Sequence, residues 1–538
     1  MWDEWPLLTL IAFSPLLGIL ALLFTPKDNG KWIKRIGIAA TLIPLALSVV
    51  LFAEFDRSAS GMQFVEKATW IEIDLNRETD ALSQYSSYSY RFQYHLGVDG
   101  VSMPLVFLTA LISTMAALAS VHIRKRWKTY FILFLLLEIG MFGVFMARDL
   151  FLFFLFFELA LVPAFFIIAI WGYKDREKAA NKFLVYNGVG SAIMAIAFLI
   201  LINTAGFTTP GMADNGNDLY YSGDLEVIAA NLNNPDAIVN QDPGERGLNP
   251  YYVSDAMKTA LFLLLLVGFG IKLPMFPFHT WMLRVHAEAP PPLVMIHSGI
   301  LLKMGAYGLL RFGVFLFPEQ AERWALLLAI LGVINILYGA VIAFVQKEFK
   351  LILAYSSISH MGIVLIGLAA LNEAGVKGAV FQLVSHGLIS ALLFLIVGSL
   401  HERTGTTDIR ELGGLAKSMP FMCGVLIVAG LASLGLPGLS GFVGELMAFL
   451  GLFDVLPAVT IVGALGIILA AVYVLRGVMR IMHGPLPERF QGVKDARLIE
   501  AIPMIALVAF IVLLGVYPAV LGGTLEPAIQ DFMLRIGG

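Results

Sequence analysis

The sequence predicts an all-α polytopic membrane protein of about fourteen transmembrane helices, and three observations carry that prediction. Of 538 residues, 58% are hydrophobic and only 14% charged, whereas soluble domains are about half apolar and about a quarter charged. Apolar runs of about twenty residues, enough to cross a bilayer, recur along the whole chain. The loops between them hold Lys and Arg unevenly, with about two-thirds of the 36 basic residues on one face, the asymmetry that orients membrane helices.

The apolar runs place spans near 6–25, 36–54, 103–122, 129–147, 150–172, 183–203 and 259–281. They continue near 292–316, 325–345, 351–371, 376–400, 420–452, 455–482 and 501–523. The opening MWDEWP is acidic where a signal peptide is basic, so the first run reads as a retained helix. Helices one to three fill residues 1–128. Two polar stretches, 55–102 and 204–258, are rich in Asp, Asn, Gly and Tyr without a sustained apolar period, and predict outer loops with short helices.

Alternating the loops puts Lys27–Arg35, Arg124–Lys128, Lys174–Lys182, Arg284, Lys347, Lys350, Arg403–Lys417 and Arg476–Arg497 inside. Both termini then lie on the outer, periplasmic side of the inner membrane. Arg148, Arg311 and the remaining basic residues fall outside, except Lys272 and Lys303, which are left within spans.

The seventh span is interrupted by FGIKLPMFP and the twelfth by GLPGLSG. Pro274 and Pro277 remove backbone donors and clash with preceding carbonyls, and Gly435, Pro437, Gly438 and Gly441 weaken the twelfth in the same way. Broken helices at matching positions in two halves mark an inverted-repeat transporter. The repeats run 129–316 (helices four to eight) and 325–482 (nine to thirteen), followed by 483–538 with helix fourteen.

An ionisable group at the bilayer centre costs about 2.5–3.5 kcal/mol on insertion scales, so each one needs a reason. Glu138 and Glu158 each stand about ten residues from the Arg148–Asp149 turn, hence roughly 15 Å below one surface. Lys272 precedes the seventh-helix break, Lys303 is central in the eighth helix, His360 in the tenth and His386 in the eleventh. Glu445 follows the twelfth-helix break. Burial disfavours a charged lysine and a nearby carboxylate restores it. At about 6 Å and an effective dielectric of about 20 the pair is worth roughly 2.8 kcal/mol. Moving Glu158 relative to Lys272 would therefore switch the lysine between holding and releasing a proton. Lys303, His360 and His386 would pass it laterally toward Glu445, with the serines of AYSSISH and LVSHGLIS supplying hydroxyls.

Each group alone also has a structural reading: a tie between helices for Glu158–Lys272, packing for each histidine, kinks for the prolines. Several at one depth in both halves favour a proton path. The remaining motifs exclude other chemistry. Cys423 is the single cysteine, so a disulfide framework, a Cys-ligated cluster and a multi-Cys zinc site are out. A net charge of −3 argues against nucleic acid. Gly188–Gly190 lies inside a membrane helix and is no nucleotide loop. His279, His286 and Glu288 follow no metal spacing and line the inner end of the seventh and eighth helices.

FGIKLPMFPFHTWMLRVHAEAPPP, ILLKMGAYGLLRFG, FFELALVP, AYSSISHMG and LPGLSGFVGE resemble the signature regions of the antiporter-like subunits of respiratory complex I, related to Mrp-type cation/proton antiporter subunits. Two features resemble the M-type subunit, the counterpart of mitochondrial subunit four. Glu445 stands where the other types carry lysine, and only a short tail follows the last helix. The resemblance implies a membrane-arm subunit that translocates protons when NADH reduces quinone in partner subunits. Glu158 would modulate the central Lys272, Lys303 would bridge, His360 and His386 would connect, and Glu445 would stand at the exit. NADH, FMN, iron–sulfur clusters and quinone would reside in partners, with L-type and N-type antiporter-like subunits and small subunits as neighbours. The alternative is an Mrp-type secondary antiporter. PPPLVMIHSGI departs from the family pattern and makes His297 a further relay candidate, beside a packing role. The outer loop 204–258 is long for the family and would cover the outer face or a neighbouring subunit.

Overall fold

The computed structural model describes residues 5–74, 88–208, 219–244 and 249–536. Among them twelve helices are long and apolar enough to cross a membrane, from Leu7–Phe24 to Leu498–Val516. Their burial sorts them into layers. Pro291–Val314 and Glu373–Thr404 are buried along their whole apolar length, while Gly30–Glu54, Pro457–Met482 and Leu498–Val516 are only one-third buried. The outer helices present Leu17, Leu20, Leu199, Ile461, Leu465 and Ile468 to the surroundings. Exposed aliphatic side chains on this scale suit hydrocarbon rather than water. The candidate charges thus sit in a core wrapped by a lipid-facing ring.

Two expected spans are each a pair of shorter helices. Asp255–Lys272 ends at Lys272, and Thr280–Glu288 resumes after the two prolines. Pro420–Ser433 stops before Gly435 and Gly438, both with positive φ, and Ser440–Val455 resumes with Glu445 one turn inside it. The conformation at Gly435 suits glycine, and a Cβ there would lie 2.5 Å from a Glu445 carboxylate oxygen. The helix bearing Lys303 is also irregular: His297–Leu301 and Leu309–Val314 are π-wound around an α-helical Leu302–Gly308. Such local widening shifts side chains off the regular 3.6-residue register and is frequent at functional sites.

The expectation of an all-α chain is corrected by a four-stranded sheet. Gln63–Asp74 pairs antiparallel with Tyr88–Val98; the latter pairs in parallel with Leu219–Ser222, which pairs antiparallel with Phe207–Thr208. The two polar stretches read as separate loops are therefore one structure, to which Leu225–Asn233 adds the expected short helix. Tyr, Phe, Ile and Val in QFVEKATWIEID and YSYRFQYHLGV favour extended backbone, and the paired main chain satisfies donors that a loop would leave to water.

This sheet is tied to the turn between the helices of Glu138 and Glu158. The Arg148 amide donates to His95 O at 2.8 Å, Leu150 N to Gly223 O at 2.8 Å, and Leu225 N to Arg148 O at 2.9 Å. Asp149 caps the second of these helices by accepting from the Phe151 and Leu152 amides. Asp224 joins from the other side. Burial opposes its ionisation, but His95 and Lys67 donate to it and hold it well below the usual carboxylate range.

The chain's end also differs from the expectation of one helix near 501–523. Leu498–Val516 is followed by a separate Ala519–Ile536 helix after Pro518. Glu500, fully buried, accepts from Arg403 at 2.9 and 2.6 Å and anchors the last long helix to Glu373–Thr404.

Candidate functional site

Trp127–Met146 carries Glu138 and Leu150–Trp171 carries Glu158, with the two helices in close contact where a Cβ on Gly140 would lie 2.7 Å from Ala160 N. Glu138 is fully buried, and neither carboxylate oxygen has a hydrogen-bond partner among the described residues. Oε1 of Glu158 is likewise unpartnered. Lys272, 2% exposed, ends its helix with an Nζ that makes no hydrogen bond among the described residues. It stands 4.9 Å from the Phe157 ring centroid and 5.7 Å from that of Phe183. Glu158 is the charge that acts on it, but no direct ion pair closes between them.

Gly305 brings the next helix against this break: a Cβ there would lie 2.6 Å from Leu273 N and 2.9 Å from Phe269 O. Two residues earlier, Lys303 is fully buried and donates to Ser298 O at 2.5 Å. Its Nζ also meets His386 Nδ1 at 2.6 Å. That contact is chemically bivalent. An ammonium donates to a neutral imidazole, or a neutral amine accepts from the ring, and the two forms differ by one proton shifted along a short bond.

From His386 the row continues through the ring of His360, 5.2 Å away between centroids. His360 Nδ1 lies 3.2 Å from Glu445 Oε1 and accepts from Gln382 Nε2 at the same distance, while its Nε2 is 3.4 Å from Ser433 Oγ. A cavity of about 10 Å³ beside the two rings, lined by Ser356, Ser357, Ser390 and Ser433, has room for about one water. Ser385, next to His386 in the chain, donates to Ser440 at 2.8 Å, at the start of the helix of Glu445.

The structure thus joins Lys303, His386, His360 and Glu445 into one run, and keeps Glu138, Glu158 and Lys272 as a separate, unpaired group. His297 belongs with a residue assigned only to the inner helix end: His286 Nε2 lies 2.9 Å from His297 Nδ1, both rings fully buried. Trp281 and Phe183 pack edge-on to His297, and Phe183 also lies beside Lys272. His286 was missed because it stands next to polar and proline-rich sequence that reads as a helix end. Arg311 needs correction too. Counted among outer loop residues, it is 6% exposed within Pro291–Val314 and makes a two-oxygen ion pair with Asp99. Its spacing of eight residues from Lys303 was the available signal.

The sequence matches two family descriptions in succession. Residues 79–146 match the amino terminus of NADH-ubiquinone oxidoreductase chain 4, and residues 147–470 match the transmembrane NADH:quinone oxidoreductase/Mrp antiporter domain. NAD(P)H-quinone oxidoreductase chain 4 1 of Synechococcus elongatus is 39% identical over 525 residues, covering 96% of this chain and 89% of that protein. NADH-quinone oxidoreductase subunit M of Rhodobacter capsulatus is 36% identical over 535 residues, covering 98% and 96%. Among solved structures, a chain of respiratory complex I from Thermus thermophilus with bound NADH superposes with a TM-score of 0.80 at 28% identity, over 99% of this chain and 100% of that one.

Proposed function

We propose a proton route through this chain, which belongs to the NADH:quinone oxidoreductase/Mrp antiporter family and, within it, to the subunit M and chain 4 proteins. The chain is a proton-translocating membrane-arm subunit of an NADH:quinone oxidoreductase of the complex I type. In our reading Lys272 is the switch, Glu158 modulates it, and Lys303, His386, His360 and Glu445 carry the proton laterally. His297 feeds the row together with His286, and Glu138 biases Glu158 from the neighbouring helix.

The observation that carries this reading is the short Lys303–His386 contact, because it joins the two halves of the chain through groups that each both hold and release a proton. Lys272 lies at one end, beside the first break, and Glu445 at the other, beside the second. Since Lys272 makes no hydrogen bond among the described residues, the field of Glu158 decides how firmly it holds its proton. A displacement of the Glu158 helix, driven from a partner subunit, releases the proton into the row.

Counting each broken pair as one crossing, the chain has fourteen spans, ten of them in two repeats of opposite orientation, 129–316 and 325–482. The basic side faces the cytoplasm and both termini face the outer side of the inner membrane. L-type and N-type antiporter-like subunits and small membrane subunits flank the chain, and NADH, FMN, iron–sulfur clusters and quinone reside in other subunits. The test is donor-driven proton uptake by inverted membrane vesicles holding the assembled complex, wild type against Lys272→Ala. Loss of uptake and of coupled oxidation is expected, and undiminished uptake would reduce Lys272 to a structural cation.

A further inference from the structure

Away from the lateral row, Lys303, Tyr307 and Arg311 follow one another at four-residue intervals toward the outer end of their helix. Side chains four apart on a helix are neighbours, and here Arg311 lies over the Tyr307 ring, Cζ 5.3 Å from its centroid. The Tyr307 hydroxyl donates to Phe145 O at 3.2 Å, a long bond. Arg311 pairs with both oxygens of Asp99, and both residues line a cavity of about 500 Å³ walled also by the Leu225–Asn233 and Ala519–Ile536 helices. Arg148, 5% exposed, lines it as well and makes no side-chain ion pair among the described residues. Glu226 and Asp531 bring carboxylates to the cavity wall.

We propose that this cavity is a gated proton outlet for Lys303, with Tyr307 as the transfer group and the Asp99–Arg311 ion pair as the gate. The outlet rests on the reading of Lys303 as a proton carrier, and differs from the lateral path in ending at the outer face one helix from Lys272. With the gate closed, Asp99 is no acceptor. Burial alone would push its carboxyl up, but the Arg311 guanidinium, with help from Arg148, brings it down to about 2. The buried guanidinium of Arg148, without an ion pair among the described residues, also lines the cavity and repels an incoming proton, so the closed gate blocks return flow.

Opening moves Arg311 off Asp99. Lys303 Nζ leaves Ser298 O and His386 and the Tyr307 hydroxyl leaves Phe145 O; the hydroxyl takes the proton from Nζ and gives its own to the freed Asp99 carboxylate. Lys303 is left as a neutral amine and Tyr307 as it began. When Arg311 returns, Asp99 releases the proton to the cavity, where Glu226 and Asp531 pass it to water. No oxidant or reductant enters the step, and one proton crosses per opening.

Two measurements on the assembled complex in membranes test the outlet. In the first, Ala229→Cys, a substitution in the cavity wall, is exposed to a membrane-impermeant thiol reagent from either side and this chain is analysed by mass. Cys423, its one native cysteine, is buried. Labelling from the outer side alone is expected; labelling from the inner side, or from neither, overturns the outlet. In the second, Tyr307→Phe keeps the ring that packs edge-on against Phe145 and removes only the hydroxyl. Protons pumped per NADH oxidised should fall by roughly tenfold or more. Wild-type pumping by Tyr307→Phe, in a preparation where Lys272→Ala is inactive, overturns the outlet and leaves the lateral route standing. Wild-type pumping by both variants removes the route and the outlet together.

Discussion

The two broken helices bear opposite charges in opposite surroundings. At the first break, Lys272 stands by the rings of Phe157 and Phe183 with no hydrogen bond among the described residues, and Glu158 is the charge that acts on it. At the second, Glu445 reaches His360 at 3.2 Å, and His360 in turn is held by Gln382 and Ser433. A buried charge without hydrogen bonds is poised, because small displacements of distant charges change its energy appreciably where the effective dielectric is low. A networked charge is held by its neighbours and conducts through them. The first break therefore suits a switch and the second an element of the wire, although the chain breaks both helices by similar means.

This contrast predicts unequal consequences of substitution. The largest effect falls on the switch: Lys272→Ala and Glu158→Ala should each lower donor-driven proton uptake by roughly 100-fold or more. Glu158→Ala does so by removing the carboxylate whose field acts on Lys272 in its buried site. Both variants need comparison at equal content of assembled complex, and normal uptake in the pair would erase the distinction between switch and wire.

Next comes the wire. His360→Ala removes the one ring standing between His386 and Glu445, and uptake should fall by roughly tenfold, since water entering the space restores part of the conduction. Glu445→Lys should act similarly or less: coupling falls while assembly survives. A loss at Glu445 as complete as at Lys272 would show that the second break switches too.

Much of this was legible in the sequence because bilayers punish exceptions. Apolar runs gave the spans, Pro274, Pro277, Gly435 and Gly438 gave the breaks, and buried Glu, Lys and His stood out against them. What escaped obeyed water's rules or depended on distance. The strands at 63–74 and 88–98 carry charge on their exposed sides, and the parallel pairing with 219–222 joins segments over a hundred residues apart. Arg311 passed for a loop residue because its partner, Asp99, lies in another polar stretch; only the fold brings them together. The π-wound stretches around Lys303 have no sequence marker at all.

The smallest predicted effect sharpens the comparison most, since it lies in the same half as the largest. Glu138 is fully buried and neither oxygen is bonded among the described residues, so it contributes desolvation cost without a compensating hydrogen bond. Replacing it by a nonpolar residue relieves that cost, and Glu138→Ala should assemble as well as wild type by thermal denaturation, less the packing lost with the side chain. Its influence on transport passes through the adjacent Glu158 helix, which it reaches across the close Gly140–Ala160 contact. Pumping in Glu138→Ala should therefore drop only a few-fold, roughly 1 kcal/mol at the transfer step, and Glu138→Gln should match it because an amide, like alanine, neither takes up nor releases a proton there. Complete inactivation of Glu138→Gln in normally assembled complex would move Glu138 into the switch itself, making the first break a three-group device of Glu138, Glu158 and Lys272.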